Sequence, residues 1–538
     1  MFRGKRIFAL LLAFMLVFSA FAVPVLAADA PTAAESVKET LTQRFYQLVD
    51  GMIRILGRFL NTVIPGINWA GKIPSVKRYQ PENFYPGKAK FDAAPADGAQ
   101  WEMGFSSASF LTNIDPLDGS YYIAGALGFT EGNVPVEVAD DQGVNTYALS
   151  DGTTTVTYSA IDGFGLTRGD VLEIRSRLAD FAAAHHIDSI NVSSIHQHSC
   201  LDTLGLGVPI LPALLKNPVS TAFLNGKGMM KGKNDRFMEE FYQAVTRTVM
   251  EAVERMTPGA LYYGSVDISE HICDKRDPQS FDGNFNRLRF VPENGGREIW
   301  VGQTCIHPVT VGSSSHVLSA DYPHYVEKYV NENAGADFVF IQGAELAISS
   351  HSNTFTYNDA DGAAARAAAM GKTLGEKLCS VANEEPLPPL LNVAFSEVEV
   401  KIDNPIHTVA GREGLLSSVL VRDGLDYTVM TELGYMELGG TLGIVLTPGE
   451  IEPAILWGGA PTAAESWTGE SWDYAPWAEV CGAEKLLCFG LCNDQIGYIL
   501  CDNDYRSMLT ENEEVNVACM KAGSVLSDAF ADLIARVK

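Results

Sequence analysis

The chain carries little positive charge for its length. Its 538 residues contain 39 Lys and Arg against 66 Asp and Glu, which gives a formal net charge of -27. Nucleic acids and anionic lipid surfaces attract proteins mainly through Lys and Arg side chains. We therefore expect no nucleic-acid partner and no general affinity for acidic membranes. A neutral lipid or a small-molecule amide remains compatible with this charge.

The nine cysteines contain no Cys-x-x-Cys pair, the spacing typical of structural zinc sites. Their odd number leaves at least one thiol outside any disulfide within the chain. Nine cysteines in a chain of this length are also too few for a disulfide scaffold. We therefore expect most of them to be small residues of the hydrophobic core.

After the N-terminus, the sequence has no apolar run long enough to span a bilayer. The N-terminus itself has basic residues at positions 3, 5 and 6, an apolar stretch from Ile7 to Phe21, and small residues ending at Ala27. This order predicts a signal peptide at 1–27, hence a secreted or extracytoplasmic protein without a stable transmembrane segment. The alternative is an uncleaved anchor, but Pro24 and the small residues that end at Ala27 favour cleavage.

Two further segments follow the signal peptide. Residues 28–95 are predicted to be an N-terminal helical segment with a connector, and residues 96–538 to be the main domain. Between Glu35 and Thr62, apolar residues recur at helical spacing, which predicts one or two amphipathic helices. We expect these helices to pack on the main domain, and contact with a membrane surface is the alternative.

Helical and strand-like patterns alternate through the main domain, with no internal repeat and no low-complexity tract. The predicted helices are Asp170 to His186, Arg236 to Met256, Asp361 to Ala382 and Ser524 to Val537. The predicted strands are Thr153 to Ile161, Ile190 to His196, Ala260 to Ile268, Ile299 to His307, Phe338 to Gln342, Asn392 to Ile402 and Leu486 to Leu491. Strands interleaved with helices predict an α/β fold, with a mixed-sheet core and flanking helices.

Two histidines lie at the end of the predicted strand that begins at Ile190. In an extended chain, side chains two residues apart point the same way, so His196 and His198 should share one face. Neutral imidazole is the commonest metal ligand in proteins and a good general base near neutral pH. The pair therefore predicts a metal ligand with a catalytic neighbour, and the alternative is a surface pair without function.

Other polar residues also follow predicted strands. They are His307, which precedes a proline, Glu450 in a Pro-Gly-Glu turn, and Tyr498 in the segment after the strand that ends at Leu491. Each of them alone is common in proteins of any function. Their order along the chain, after the histidine pair, matches a pattern found in one enzyme family.

That family is the neutral, non-lysosomal ceramidases, which the chain resembles from about Phe105 to its C-terminus as a distant member. The resemblance consists of ordered motifs. They are His196-Gln197-His198-Ser199, Lys275-Arg276-Asp277-Pro278, Ile306-His307-Pro308, Ser319-Ala320-Asp321, Gly449-Glu450 and the stretch Asn493 to Tyr498. The resemblance implies a ceramidase-type zinc hydrolase domain. The family's additional immunoglobulin-like domain is not expected, because Tyr498 lies 40 residues before the last residue.

The resemblance also implies a metal centre. A catalytic Zn²⁺ would be held by His196, His307, Glu450 and Tyr498. A site of two His, one Glu and one Tyr gives zinc the nitrogen and oxygen ligands that it prefers.

The same resemblance implies the groups that act on the substrate. His198 would carry the proton between water and the leaving amine. Arg276 would orient a substrate oxygen or stabilise developing negative charge. Ser349 would be the active-site serine, and Asp321 would order a loop or a ligand without binding the metal.

The chain differs from the family around this site. Cys200-Leu201-Asp202-Thr203 stand where the family has Gly-Pro-Gly-Gly, and Ala344-Glu345-Leu346-Ala347 stand where it has Asn-Ala-Gly-Asp. The family also has a tyrosine for which residues 509–514 offer no aromatic counterpart. These differences lie at the rim of the site, where specificity is set.

The leading prediction is an exported zinc-dependent hydrolase that cleaves an N-acyl amide bond, of ceramide or a related lipid, with a zinc-activated water. One alternative is a zinc hydrolase of another ester or phosphoester substrate. Another is a non-catalytic exported binding protein on the same scaffold. The presence of all four predicted ligands argues against this last alternative, because a degenerate scaffold has little reason to keep them.

Overall fold

The computed structural model describes residues 33–63, 73–125, 132–210, 212–213, 216–217, 220, 228–356, 362–508, 510 and 514–538. The predicted signal peptide at 1–27 lies outside these residues. None of the described helices combines the length and the apolar character needed to cross a bilayer. All nine cysteines are free thiols, and seven of them are buried, as expected for small core residues.

The larger sheet has nine strands in the described part of the chain, in the order β11-β9-β8-β6-β1-β3-β4-β5, with β13 also paired to β6. Their bounds are β1 Trp101–Ser109, β3 Gly143–Ser150, β4 Thr155–Ile161, β5 Ser189–Ser194, β6 Thr257–Asp267, β8 Asn284–Pro292, β9 Ile299–Thr304, β11 Asp337–Gln342 and β13 Glu384–Leu387. The pairs β4–β5 and β9–β11 are parallel, and the other pairs are antiparallel. Residues of β11 lie close to β3, β4 and β5, so the sheet curves until its edges approach each other.

The smaller sheet runs in the order β14-β16-β17-β19, with β15 paired to β16. Its strands are β14 Leu391–Ile402, β15 Leu420–Asp423, β16 Asp426–Leu438, β17 Leu442–Leu446 and β19 Lys485–Phe489. The pair β17–β19 is parallel. Short two-stranded pairings join loops: β2 Glu137–Val138 with β10 Val317–Leu318, β7 Ile272–Asp274 with β12 Ile348–Ser350, and β18 Glu450–Ile451 with β20 Tyr498–Ile499.

Helices cover the outer faces of the two sheets. They are α1 Ala33–Val63, α2 Arg168–Arg177, α3 Ala179–Ala184, α4 Asp235–Glu254, α5 Asp321–Asn333, α6 Ala363–Cys379, α7 Pro405–Arg412, α8 Pro453–Trp457, α9 Trp477–Cys481 and α10 Ala522–Val537. Helix α4 packs on β1, β3 and β4, and α10 packs on β14 and β16. Between the sheets, the rings of Tyr158 and Phe489 meet edge to face, with centroids 5.1 Å apart. The predicted α/β fold, a mixed-sheet core with flanking helices, is confirmed.

The sequence of α4 explains why it forms and where it packs. Asn234 caps its first turn, because its side chain accepts hydrogen bonds from the backbone N–H groups of Arg236 and Phe237. Its buried apolar residues recur every three or four positions and form one stripe: Phe237, Phe241, Val245, Val249 and Ala252. This stripe covers the outer face of the larger sheet.

Helix α1 is one continuous helix where the sequence predicts one or two, and it packs on the main domain through one face. Val49 and Ile53 are buried in a cluster with Leu346 and Leu500. The neighbouring face carries four exposed large apolar side chains: Phe45, Leu48, Met52 and Ile55. The expected packing on the main domain is therefore observed for part of the helix.

One predicted helix is wrong in detail. The segment from Asp170 to His186 forms two helices, α2 and α3, which are separated at Leu178. Arg175 in α2 is fully buried, and it pairs with Glu432 on β16 through two hydrogen bonds of 3.0 and 2.6 Å. Burial alone would raise the pKa of Glu432, but the guanidinium groups of Arg175 and Arg168 hold that pKa below its ordinary value.

Replacing Arg175 with methionine should lower the free energy of unfolding by about 3–5 kcal/mol, because it leaves the carboxylate of Glu432 buried without this partner. Urea denaturation of the purified protein measures this change. The matched control is Arg177→Met on the same helix, where an exposed ion pair with Glu239 is lost. That change should cost less than about 1 kcal/mol. Equal losses in the two variants would contradict the prediction.

Candidate metal centre

The residues of interest follow the carboxyl ends of parallel strand pairs. These pairs are β4–β5 and β9–β11 in the larger sheet and β17–β19 in the smaller sheet. Neighbouring parallel strands point the same way, so the segments that follow them leave from the same edge. The topology therefore brings together segments that are more than 250 residues apart in the sequence.

The pair β9–β11 positions His307 beside Glu345. In its register Thr304 lies opposite Gln342, and each of the two side chains follows three residues later. His307 Nδ1 lies 3.4 Å from Glu345 Oε2, and both residues are fully or largely buried. Glu345 was not predicted as a site residue. The sequence gives one clue to it: Glu345 follows the end of β11 by three residues, as His307 follows the end of β9.

The chain around His196 is not extended, which corrects the predicted geometry of the histidine pair. Strand β5 ends at Ser194, and His196 has a left-handed backbone with φ of 60°. The two imidazoles still converge, with ring centroids 4.8 Å apart, because the chain turns at His196. The ring of Phe164 supports both, stacked on His196 and edge-on to His198.

Hydrogen bonds fix the orientation of both rings. His196 Nδ1 lies 2.6 Å from the carbonyl oxygen of Phe164, and His198 Nδ1 lies 3.0 Å from that of Gly125. A carbonyl oxygen only accepts, so each Nδ1 carries the hydrogen and each neutral ring keeps a lone pair on Nε2. Both Nε2 atoms point into the cluster, where His198 Nε2 lies 3.1 Å from His307 Nε2.

Glu450 adds a carboxylate to these imidazoles. Its Oε2 lies 3.4 Å from His196 Nε2 and 3.9 Å from His307 Nε2. Its Oε1 accepts a hydrogen bond of 3.1 Å from Gln495. Tyr498 is the residue paired with Glu450 in the β18–β20 register, and its ring packs against the cluster that contains Leu346.

Within the described residues, two sets of donor atoms lie within 4.8 Å of one another and suit a metal ion. One set is His196, His198 and His307, and the other is His196, His307, Glu345 and Glu450. Burial lowers the pKa of His196 and His307 well below the ordinary value, and it lowers that of His198 to about 4. All three imidazoles are therefore neutral at pH 7. Burial and the charge of Glu450 raise the pKa of Glu345 well above its usual range.

This donor set fits a zinc ion. Lone pairs of imidazole nitrogens and carboxylate oxygens face one another, an arrangement that repels unless a cation or a proton lies between them. Ligand atoms about 2.0–2.1 Å from a tetrahedral zinc lie about 3.3 Å apart. Glu450 Oε2 lies 3.4 Å from His196 Nε2, close to that separation, and 3.9 Å from His307 Nε2, somewhat beyond it.

Arg276 lies in a buried ion cluster. Its Nε and Nη2 donate to the side chain and the backbone carbonyl of Asp504, and Nη2 lies 3.5 Å from Glu514. Burial works against its positive charge, but the neighbouring carboxylates, Asp504 first, keep its pKa above the ordinary value. Arg276 is thus positively charged and pairs with the carboxylates of Asp504 and Glu514.

The other two predicted residues, Ser349 and Asp321, lie on segments that bond the backbone of His307 and Ile306. Ser349 is half-buried on β12, opposite Cys273, and the preceding carbonyl of Ile348 accepts the backbone N–H of His307 at 3.3 Å. Asp321 accepts hydrogen bonds from the backbone N–H groups of Val311 and Tyr322. That is the loop-ordering arrangement expected of this carboxylate.

The fold is similar to that of solved ceramidases. A crystal structure of neutral ceramidase from Pseudomonas aeruginosa matches with a TM-score of 0.62 and 13% identity, over 81% of this chain and 74% of that chain. A ceramidase complexed with C2 matches with a TM-score of 0.59 and 13% identity, over 81% and 75% of the two chains. No protein-family model matches the sequence, and the search of curated proteins gave no match. The resemblance stated from the motifs is confirmed at the level of the fold.

Proposed function

We propose that this protein is an exported, zinc-dependent hydrolase that cleaves an N-acyl amide bond in a small-molecule or lipid substrate. The observation that carries the proposal is the convergence of three neutral imidazoles and two carboxylates at one buried point. The likeness in fold to ceramidases favours an amide over other bonds. The signal-like N-terminus supports export.

We propose His196, His307, Glu450 and Tyr498 as the residues that hold the zinc. When bound, zinc supplies an activated water as nucleophile, since it lowers the pKa of a water ligand to about 7. Glu345 Oε2 lies 3.4 Å from His307 Nδ1, and we propose that with zinc bound this carboxyl group orients the ring and raises the basicity of Nε2. The buried surroundings exclude bulk water from these groups.

His198 is proposed to take the proton from the attacking water and to give it to the leaving amine. Its neutral Nε2 faces the cluster and is ready to accept a proton at pH 7. Arg276 is proposed to stabilise developing negative charge through Nη1, since its other nitrogens bond Asp504. Ser349 is proposed to contact the substrate beside His307.

The experiment that tests the proposal uses the mature chain from Ala28 onward. Its metal content is measured together with hydrolysis of a fluorescent N-acyl-sphingosine and of a panel of simpler N-acyl amines and esters. About one zinc per chain with amide turnover is the expected result. Zinc with turnover of esters or phosphoesters alone would replace the amide in the proposal. A protein that neither retains zinc nor hydrolyses any of them would refute it.

Replacing Glu345 with glutamine should weaken zinc affinity by about 10- to 100-fold, the usual effect of losing a carboxylate that orients a ligand histidine. The change keeps the size of the side chain and removes its ionisable carboxyl group. Competition with a chromogenic chelator measures the affinity. Glu327→Gln is the matched control, because this partly buried carboxylate bonds Asn145 and belongs to neither donor set. Equal zinc affinity in the Glu345→Gln and wild-type proteins would contradict the prediction.

A further inference from the structure

One face of helix α1 displays a stripe of large apolar side chains. Phe45, Leu48, Met52 and Ile55 recur at helical spacing and are between 45% and 72% exposed. They make up half of the eight exposed large apolar side chains among the described residues. Proteins in water rarely gather so many on one surface, and such a patch usually marks a contact with another molecule or with a membrane.

The opposite face of α1 is fixed on the main domain. Val49 and Ile53 are buried in one cluster with Leu346. Between them, the carboxylate of Asp50 is also buried and accepts a hydrogen bond of 2.9 Å from Ser507. Because this face is held by both apolar and polar contacts, the helix cannot turn its apolar stripe inward.

The same helix borders the candidate metal centre. Leu346, in the cluster with Val49 and Ile53, directly follows Glu345 in the chain. Tyr498, a proposed zinc ligand, packs against this cluster as well. A surface bound by the stripe of α1 would therefore be held beside the segments that form the site.

The exposed charges next to the stripe on α1 are positive. From residue 40 to its end, the helix has three arginines and one acidic residue. Arg44 and Arg58 are exposed, Arg58 in an ion pair with Asp426, whereas the one acidic residue, Asp50, is buried. Arginine is well suited to bind phosphate groups. This face therefore fits a partner that offers both apolar groups and phosphates.

A second copy of the chain fits this face less well. The formal net charge is -27, and a charge so far from zero keeps proteins apart. The same charge disfavours an anionic lipid surface. A zwitterionic phospholipid surface has apolar chains and phosphates without a net negative charge.

We propose that the exposed stripe of α1 docks on the surface of a zwitterionic phospholipid membrane. A helix that lies in this interface buries its apolar face at the boundary between head groups and acyl chains. Arg44 would then reach the lipid phosphates. The inference rests on the proposed function for its purpose, because it would bring the site to an N-acyl amide that resides in a membrane.

The test measures co-sedimentation of the chain from Ala28 onward with phosphatidylcholine vesicles that contain no substrate. Omitting residues 1–27 removes the apolar N-terminal stretch, which would otherwise insert by itself. The variant Leu48→Ser/Ile55→Ser changes the two most exposed side chains of the stripe. The matched control, Leu117→Ser/Val136→Ser, changes two exposed apolar side chains outside α1. Light scattering measures the oligomeric state of each protein.

The wild-type and control proteins should bind the vesicles equally. Leu48→Ser/Ile55→Ser should bind them about 10- to 100-fold more weakly, because two large apolar side chains no longer leave water. This variant should also hydrolyse a fluorescent N-acyl-sphingosine in vesicles more slowly, with unchanged hydrolysis of a soluble short-chain N-acyl amine.

A wild-type protein that does not bind the vesicles, or equal binding by the wild type and Leu48→Ser/Ile55→Ser, would overturn the inference. A dimer that forms without vesicle binding and is lost in this variant would assign the stripe to a second copy instead. If the wild type hydrolyses neither substrate, the proposed function fails, and binding to the substrate-free vesicles still decides whether α1 docks on lipid.

Discussion

Replacing His196 with alanine is expected to abolish metal binding and hydrolysis together. His196 Nδ1 bonds the carbonyl oxygen of Phe164, which fixes the orientation of the ring. The lone pair on Nε2 therefore faces the centre, 3.4 Å from Glu450. Without this ligand, three or fewer donors remain, too few for a tight zinc site. Metal analysis of the purified variant and an amide assay measure both losses.

The control for this variant is His185→Ala, which removes an exposed histidine outside the cluster. It should retain both metal and turnover. Without metal, both variants should melt within a few degrees of the metal-free wild type. This agreement would show that His196→Ala removes a ligand without disrupting the fold. A His196→Ala protein that is inactive with full zinc content would remove His196 from the ligands.

Replacing His198 with alanine is expected to leave zinc bound and to lower kcat by on the order of 100-fold or more, the usual effect of losing a general base. Its Nε2 faces the cluster, and its Nδ1 is held by the carbonyl of Gly125. A small imidazole added to the medium should restore part of the rate, because the base alone is missing. Zinc content and kcat, with and without added imidazole, measure the effect.

The same variant distinguishes the two donor sets. His198 Nε2 lies 3.1 Å from His307 Nε2, a separation that also suits two ligands of one metal ion. A His198→Ala protein that loses its zinc would identify the three-histidine set as the ligands. In that case another group would have to carry the proton. Glu345 would be the nearest carboxylate to His307 for this role.

The sequence predicts those helices and strands whose apolar residues recur at a regular helical or strand spacing. Helix α4 and strands β4, β9 and β11 lie within a few residues of their predicted bounds. The long strand β16 was missed, although almost all of it is buried, because it carries Glu432 and Glu437 among its apolar residues. Their partners, Arg175 and Lys538, are far away in the sequence, and no local pattern can reveal such pairs.

The candidate site was predicted in part, since His196, His307 and Glu450 were named as metal ligands from motifs and lie together in the structure. Glu345 was not named as a site residue, because its approach to His307 depends on how β9 and β11 are paired. Periodicity alone also gave the wrong reason for the approach of His196 and His198. A left-handed turn brings the two rings together, and an extended strand does not.

The proposed metal ligands follow the ends of separate pairs of parallel strands. This arrangement determines when, during folding, the chain can bind a metal ion. His196 follows β5 of the larger sheet and Glu450 follows β17 of the smaller sheet, so a fragment of the chain that contains one sheet alone cannot bring Glu450 to the histidines. A polypeptide that crosses a membrane unfolded has no high-affinity place for zinc. On the proposed export and zinc binding, we expect the metal to be acquired on the outer side, after both sheets have packed, and to act as a cross-link that secures the finished fold.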